Sequence, residues 1–221
     1  QVEDTLSQRE PYSPVSFPTI SSYYCKFLVE TGAHKKALQR ALQTFEWRRE
    51  KAWQVAIDTT SLLASDHLVL GLAYLKLRDP DNAKLHLDKQ VELFKSADEW
   101  LYLPIGLSSR ALFHIENNNY QAAETDLDEA LEIPIRTGAK FGQWEAIVNL
   151  ALLYFQRGDC ELSRSFLQRA KKLSGMELYR HRDDELVSLE ENLSLALDAS
   201  DLAEPITSAV RSAPIQSSDI C

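Results

Sequence analysis

Three stretches of this chain lie over one another at a spacing of 40 residues, and that fact limits the fold more than any other. Gly71, Ala111 and Ala151 make one column, and Tyr74, His114 and Tyr154 a second. Ala83, Ala123 and Ser163 follow, then Leu87, Leu127 and Leu167, then Gln90, Ala130 and Ala170. A period of about 20–50 residues is the mark of a solenoid, because one unit cannot bury its apolar face alone and must stack on its neighbours. Within a unit the column residues stand three or four apart, the spacing of a single helix face. A small residue on each of two helices lets their backbones approach, while the aromatic ring and the leucine fill the seam.

A turn divides each unit: Arg78-Asp79-Pro80, then Asn117-Asn118-Asn119, then Gly158-Asp159. Asp and Asn cap a helix start by accepting an unpaired backbone N–H, and proline suits the first helical position, where no N–H is needed. Each unit is therefore helix, short turn, helix. Helices are expected near 66–77, 81–97, 101–116, 120–133, 143–157 and 160–174, with Pro104 and Pro134 near helix ends.

The order L-G-x-x-Y, turn, A-x-x-x-L-x-x-A resembles the tetratricopeptide repeat (TPR). It is carried by Leu70, Gly71, Tyr74, Ala83 and Leu87, by Ala111, Tyr120, Ala123, Leu127 and Ala130, and by Leu150, Ala151, Tyr154, Gly158 and Ala170. The 40-residue period is longer than the usual repeat of about 34. It resembles the long variant of signalling adaptors and bacterial signalling ATPases, in which N-L-A-x-x-Y (here Asn149, Leu150, Ala151 and Tyr154) follows a glycine-containing connector, Thr137-Gly138-Ala139. The resemblance implies an all-α, right-handed superhelical solenoid of antiparallel helix pairs. It covers roughly residues 64 to 175 in three clear repeats.

Upstream, Tyr24, Cys25, Leu28, Gly32, Ala37 and Ala41 read as a diverged first repeat, with Cys25 in the small-residue column. The interval from Cys25 to Gly71 is six residues longer than the period, so the second helix of this unit is expected to extend through Trp47 and Trp53. Downstream, Leu186, Leu189, Leu193 and Leu197 give a last helix one apolar face, as a cap needs to close an open solenoid end. The expected organisation is a Pro- and Ser-rich arm over 1–18, a repeat domain with its cap over 19–198, and a tail over 199–221.

A net charge of −9 opposes a nucleic-acid surface, which needs a basic stripe. The short basic clusters Arg48-Arg49 and Lys171-Lys172 are expected on solvated helix faces, as are the acids of Asp126-Asp128-Glu129 and Asp183-Asp184-Glu185. No run approaches 18 apolar residues, so no membrane span is expected. The start at Gln1, without a charged-then-apolar leader, suggests a piece of something larger. Cys25, Cys160 and Cys221 are odd in number and far apart, which argues against a disulfide framework and for a reducing, cytoplasmic setting.

No arrangement in the sequence points to catalysis. The histidines at 34, 67, 86, 114 and 181 never stand four apart or in H-E-x-x-H, and no Walker, G-x-S-x-G or G-x-G-x-x-G motif is present. His114, in the aromatic column, is expected as a packed, hydrogen-bonded ring. No enzyme, metal or cofactor is therefore expected.

The family resemblance implies that the first helix of each repeat lines a concave face. Carried over by column, the partner-binding residues are Leu68, Leu72 and Lys76, then Ser108, Leu112 and Glu116, then Asn149, Leu152, Phe155 and Gln156. Ser109 and Ile115 fall on the same columns, as do Leu75 and Val148. Some members hold chaperone tails in a carboxylate clamp. Asn149 matches one position of it, but Glu145, one turn earlier, puts an acid where the clamp has a base, so a chaperone tail is not the expected ligand. The leading expectation is a protein-interaction module or scaffold that binds a peptide or helix in its groove. The alternative is the sensor or regulatory arm of a larger signalling protein, in which the groove meets another domain of the same chain.

Overall fold

The computed structural model describes residues 18–51, 59–137, 140–173, 182 and 184–196. The chain is an all-α solenoid of helix pairs. The pairs are α1 (Pro18–Glu30) with α2 (His34–Lys51), α3 (Thr59–Lys76) with α4 (Pro80–Ser96), α5 (Leu103–Glu116) with α6 (Tyr120–Thr137), and α7 (Lys140–Gln156) with α8 (Cys160–Leu173). A last helix, α9, spans 184–196. Each first helix packs on its own partner and on the preceding second helix. First helices of successive pairs also meet, α1 on α3 and α5 on α7, so they form one layer with the second helices outside it.

The 40-residue period is visible in the helix ends. First helices stop at 76, 116 and 156, and second helices start at 80, 120 and 160. Between them Arg78, Asn118 and Gly158 all adopt left-handed backbone, with φ of 62°, 57° and 83°. The next N–H folds back onto the aromatic column: Asp79 to Tyr74 O at 3.0 Å, Asn119 to His114 O at 2.8 Å, Asp159 to Tyr154 O at 2.9 Å. This six-to-one bond closes a helix end in the Schellman manner. The same residue then caps the helix that follows, since Asp79 Oδ1 accepts from Asn82 N at 3.2 Å and Asp159 Oδ1 from Leu162 N at 3.1 Å. One residue ends a helix and begins the next, so the turn cannot lengthen without losing a cap.

Packing follows the columns. Ala111, Ala151, Ala83, Ala123, Leu87 and Leu127 are fully buried, and Ser163 replaces an alanine by donating its hydroxyl to Ala151 O at 2.7 Å across the hairpin. A Cβ on Gly71 would stand 2.6 Å from Leu87 Cγ, so glycine there sets the approach of α3 and α4. In the first unit Cys25 is buried with Ala41, Val69 and Leu70, the place expected of it. The second helix of that unit reaches Lys51; the Trp47 side chain and Trp53 lie outside the described residues. At the other end Leu186, Leu189 and Leu193 are buried against Trp144, Ile147, Val148 and Leu167, so α9 caps the last pair. The arm over 1–17 and the tail beyond 196 lie outside the described residues.

Several expectations need correction. Helix α3 begins at Thr59, seven residues before the expected 66, because its first turns are held by the tertiary structure: Ala64 is fully buried, and Ser61 donates to Glu99 at 2.6 Å. Helix α6 runs past Pro134 to Thr137. Arg48 is not on a solvated face. Its side chain is 7% exposed and its guanidinium is paired with Asp66, itself buried. Asp126 is likewise buried and accepts from Arg110 Nε at 2.8 Å and Nη2 at 2.7 Å. His114 packs edge-on against Phe113, but its Nε2 stands 3.9 Å from Asp126, beyond hydrogen-bond reach.

Candidate functional site

A cavity of about 620 Å³ opens on the layer of first helices. Val29 of α1, Leu72 of α3, Ile105, Leu112 and Ile115 of α5, and Leu152 of α7 give it an apolar middle. Polar and charged groups surround these: Lys26 and Glu30, Lys76 and Arg78, Ser108, Ser109 and Glu116, then Glu145, Asn149 and Gln156. Helical spacing puts them there. Ser108, Leu112 and Glu116 are successive turns of α5, and Glu145, Asn149, Leu152 and Gln156 are successive turns of α7.

Eight of the ten residues expected from the concave columns meet in this cavity: Leu72, Lys76, Ser108, Leu112, Glu116, Asn149, Leu152 and Gln156. Leu68 does not line it; that side chain is buried with Leu28, Val29 and Phe113 between helices. Phe155 does not line it either; it is half-buried against the cluster that contains Trp144, Ile147, Leu167 and Leu189. Leu75 and Val148 are interhelical core as well.

The floor is polar at one place. Asn149, 1% exposed, donates its Nδ2 to Ser108 O at 3.0 Å, which ties α7 to α5. Its Oδ1 and the buried Ser108 hydroxyl have no partner among the described residues. Beside them, one wall is supplied by residues that no repeat column contains. Arg182 and Glu185, at the entrance to α9, both line the cavity. Arg182 Nη1 donates to Glu145 Oε2 at 2.9 Å, while its Nε and Nη2 donate to the two oxygens of Glu185 at 2.6 and 2.7 Å. Burial disfavours the Arg182 cation, yet the bonds to Glu185 and the charge of Glu145 outweigh it and hold its pKa above the usual guanidinium range. Burial likewise pushes the Glu185 carboxyl up, but Arg182, with the more distant Lys76, holds it below the usual carboxylate range. Elsewhere on the lining Glu116 takes Lys76 at 3.4 Å and Arg78 at 3.5 Å. The cavity is thus lined by an acid–base–acid set, Glu145, Arg182 and Glu185, and a base–acid–base set, Lys76, Glu116 and Arg78.

A second polar cluster lies away from the cavity. His67 and His86 face each other with Nδ1 atoms 2.9 Å apart, under Phe45 and Tyr74. Burial, then the neighbouring His86 and Lys89, lowers the His67 pKa to about 4, and burial lowers that of His86. Both rings are neutral near pH 7 and share one proton between the facing nitrogens.

Comparison with known proteins places this geometry. Residues 67–96, which span most of α3, the turn and α4, match the tetratricopeptide repeat model. No curated protein matches the chain by sequence. Among solved structures the chain is similar to the crystal structure of BtubC (BKLC) from P. vanneervenii, with 16% sequence identity and a TM-score of 0.64, over 99% of this chain and 92% of that one. At that identity the likeness concerns the fold. Repeats of this kind are protein-interaction modules and typically carry no catalytic machinery. The chain contains a tetratricopeptide repeat, built into an all-α solenoid of TPR-like helix pairs.

Proposed function

We propose that the chain is a non-catalytic module that holds a peptide or helix of a protein partner in the cavity along α3, α5 and α7. The observation that carries this is the make-up of the cavity. Leu72, Leu112 and Leu152 stand at one column on three successive first helices, and charged groups ring them. An apolar middle supplies affinity and a polar rim fixes direction, the combination used where a helix or strand is held in a groove. The ionisable groups of the rim are committed to one another, Glu145 and Glu185 to Arg182 and Glu116 to Lys76 and Arg78, which suits recognition more than proton transfer.

A protein ligand, and not nucleic acid, fits a chain of net charge −9. No helix among the described residues is long and apolar enough to cross a membrane. Three cysteines, odd in number and far apart in sequence, fit a cytoplasmic setting. Selection of a displayed library of random dodecapeptides on the full chain, with Leu112→Arg as control, tests the reading. Enrichment on wild type that is lost on Leu112→Arg supports it. Equal enrichment on both places the partner elsewhere.

A further inference from the structure

We infer that Glu145 is the groove's acceptor for a basic side chain, an arginine or lysine of the bound segment, and that Arg182 is a displaceable stand-in for it. This rests on the groove reading above and names the chemistry of its ligand. The first ground is how Arg182 divides its bonds. It gives two to Glu185, on its own turn of chain, and one to Glu145 of α7. When Glu145 exchanges partners, Arg182 keeps its bidentate pair with Glu185, so no buried charge is left alone. Losing the only partner of a buried charge is what makes such exchanges costly. Here the exchange replaces one guanidinium bond by another.

The second ground is independent of Arg182. One turn along α7 from Glu145, Asn149 lines the cavity, is 1% exposed, and has a buried Oδ1 without a partner among the described residues. The hydroxyl of Ser108, 2% exposed, is in the same position beside it. An unmet buried acceptor favours any ligand that brings a donor. A carboxylate and an amide oxygen one turn apart, with a hydroxyl alongside, suit a group that only donates, and arginine and lysine are such groups. An anionic ligand meets the opposite situation. Lys76 and Arg78 are both engaged by Glu116, and Arg182 by two acids. The occupant is therefore a segment with a basic residue set between apolar ones, the base reaching Glu145 and the apolar flanks reaching Leu112 and Leu152.

The test uses the full chain and the random dodecapeptide library, with selections run in parallel on wild type, Leu112→Arg and Glu145→Gln, each checked for unchanged helicity. Wild-type selection should yield peptides with Arg or Lys at one fixed position. Changing that residue to Gln in the strongest peptide should weaken binding at least about tenfold on wild type and have little effect on Glu145→Gln. Arg182→Ala, which removes the stand-in, should bind the basic peptide several-fold tighter than wild type does, an increase that general loosening of the cap would not give. Peptides without a fixed basic position, or a Gln penalty that persists on Glu145→Gln, overturn the acceptor role and leave the groove reading standing. An Arg182→Ala chain that binds no tighter overturns the stand-in role. Enrichment no greater on wild type than on Leu112→Arg removes the groove reading itself, and the acceptor with it.

Discussion

Gly106→Ala should destabilise the solenoid, and Gln90→Ala should abolish that effect. A Cβ on Gly106 would stand 1.8 Å from Gln90 Nε2, 2.6 Å from its Cδ and 2.7 Å from its Oε1. Gln90 is fully buried, so its end group can give way only by shifting against the residues packed around it, and neither of its amide atoms has a partner among the described residues. Overpacking of this kind costs about 1–3 kcal/mol, while the better helix propensity of alanine offsets about 1 kcal/mol of it. The net loss should be about 1–2 kcal/mol, or a fall in Tm of about 2–8 °C for a chain of this size. Gln90→Ala alone removes two unsatisfied buried polar atoms, a relief of about 1–3 kcal/mol, against a cavity of similar cost. The double variant installs at this interface the pair of residues found one repeat later, Ala130 with Ala146, which share one buried cluster. Gly106→Ala should then be neutral or slightly stabilising. Urea unfolding followed by circular dichroism on all four proteins gives the coupling, expected at about 1–3 kcal/mol. Additive effects, with Gly106→Ala equally costly in both backgrounds, would refute the claim that this glycine exists to admit Gln90.

Other variants probe the turns, the buried charges and the cap. Arg78→Gly should stabilise by about 0.5–1 kcal/mol, since a non-glycine residue at φ 62° carries a backbone cost that glycine avoids; unchanged urea midpoints would refute this. Asp66→Ala should cost about 3–5 kcal/mol by leaving buried Arg48 unpaired, whereas Arg48→Met with Asp66→Ala should recover most of it in the same assay. Stability should also fall with acid. His67 stays neutral in the folded chain down to about pH 4, whereas the unfolded chain takes up that proton near 6.5, so folding weakens as pH drops through this window. Discounted for the ring's partial exposure, the loss is on the order of 1–2 kcal/mol. His67→Leu, which copies the leucine of the next repeat, should show a shallower decline, and parallel curves would count against it. Phe155→Ala should lower Tm through lost packing against the cluster around Trp144, Ile147 and Leu167, about 1–3 kcal/mol, with stability unchanged as the contrary result.

What could be read from the sequence was what repeats. Gly71, Ala111 and Ala151 solve the same packing problem three times, and Arg78, Asn118 and Gly158 the same turn, so their spacing carried the helix pairs and the turn positions. The groove was legible for the same reason, because Leu72, Leu112 and Leu152 share a column. Leu68 and Phe155 sit on the same helices but on flanks that pack into neighbouring apolar clusters. Arg182 and Glu185 belong to no repeat, so no column places them at the cavity. Arg48 and Asp126 did leave a signal. Ala37, Ala41, Thr44 and Arg48 form one helical stripe, and Asp126 lies on the stripe of Ala123, Leu127 and Ala130, all buried. A charge on a buried stripe implies a buried partner, here Asp66 and Arg110.

The measurement closest to the central claim is a map of amide chemical shifts on the isotopically labelled full chain, titrated with the strongest peptide from the library selection. Binding in the groove predicts that the largest shifts fall on Leu72, Ser108, Leu112, Asn149 and Leu152, with smaller ones at Arg182 and Glu185. Shifts concentrated on the outer faces of α4 and α8, around the exposed Leu85 and Leu162, with the groove amides unmoved, would contradict it.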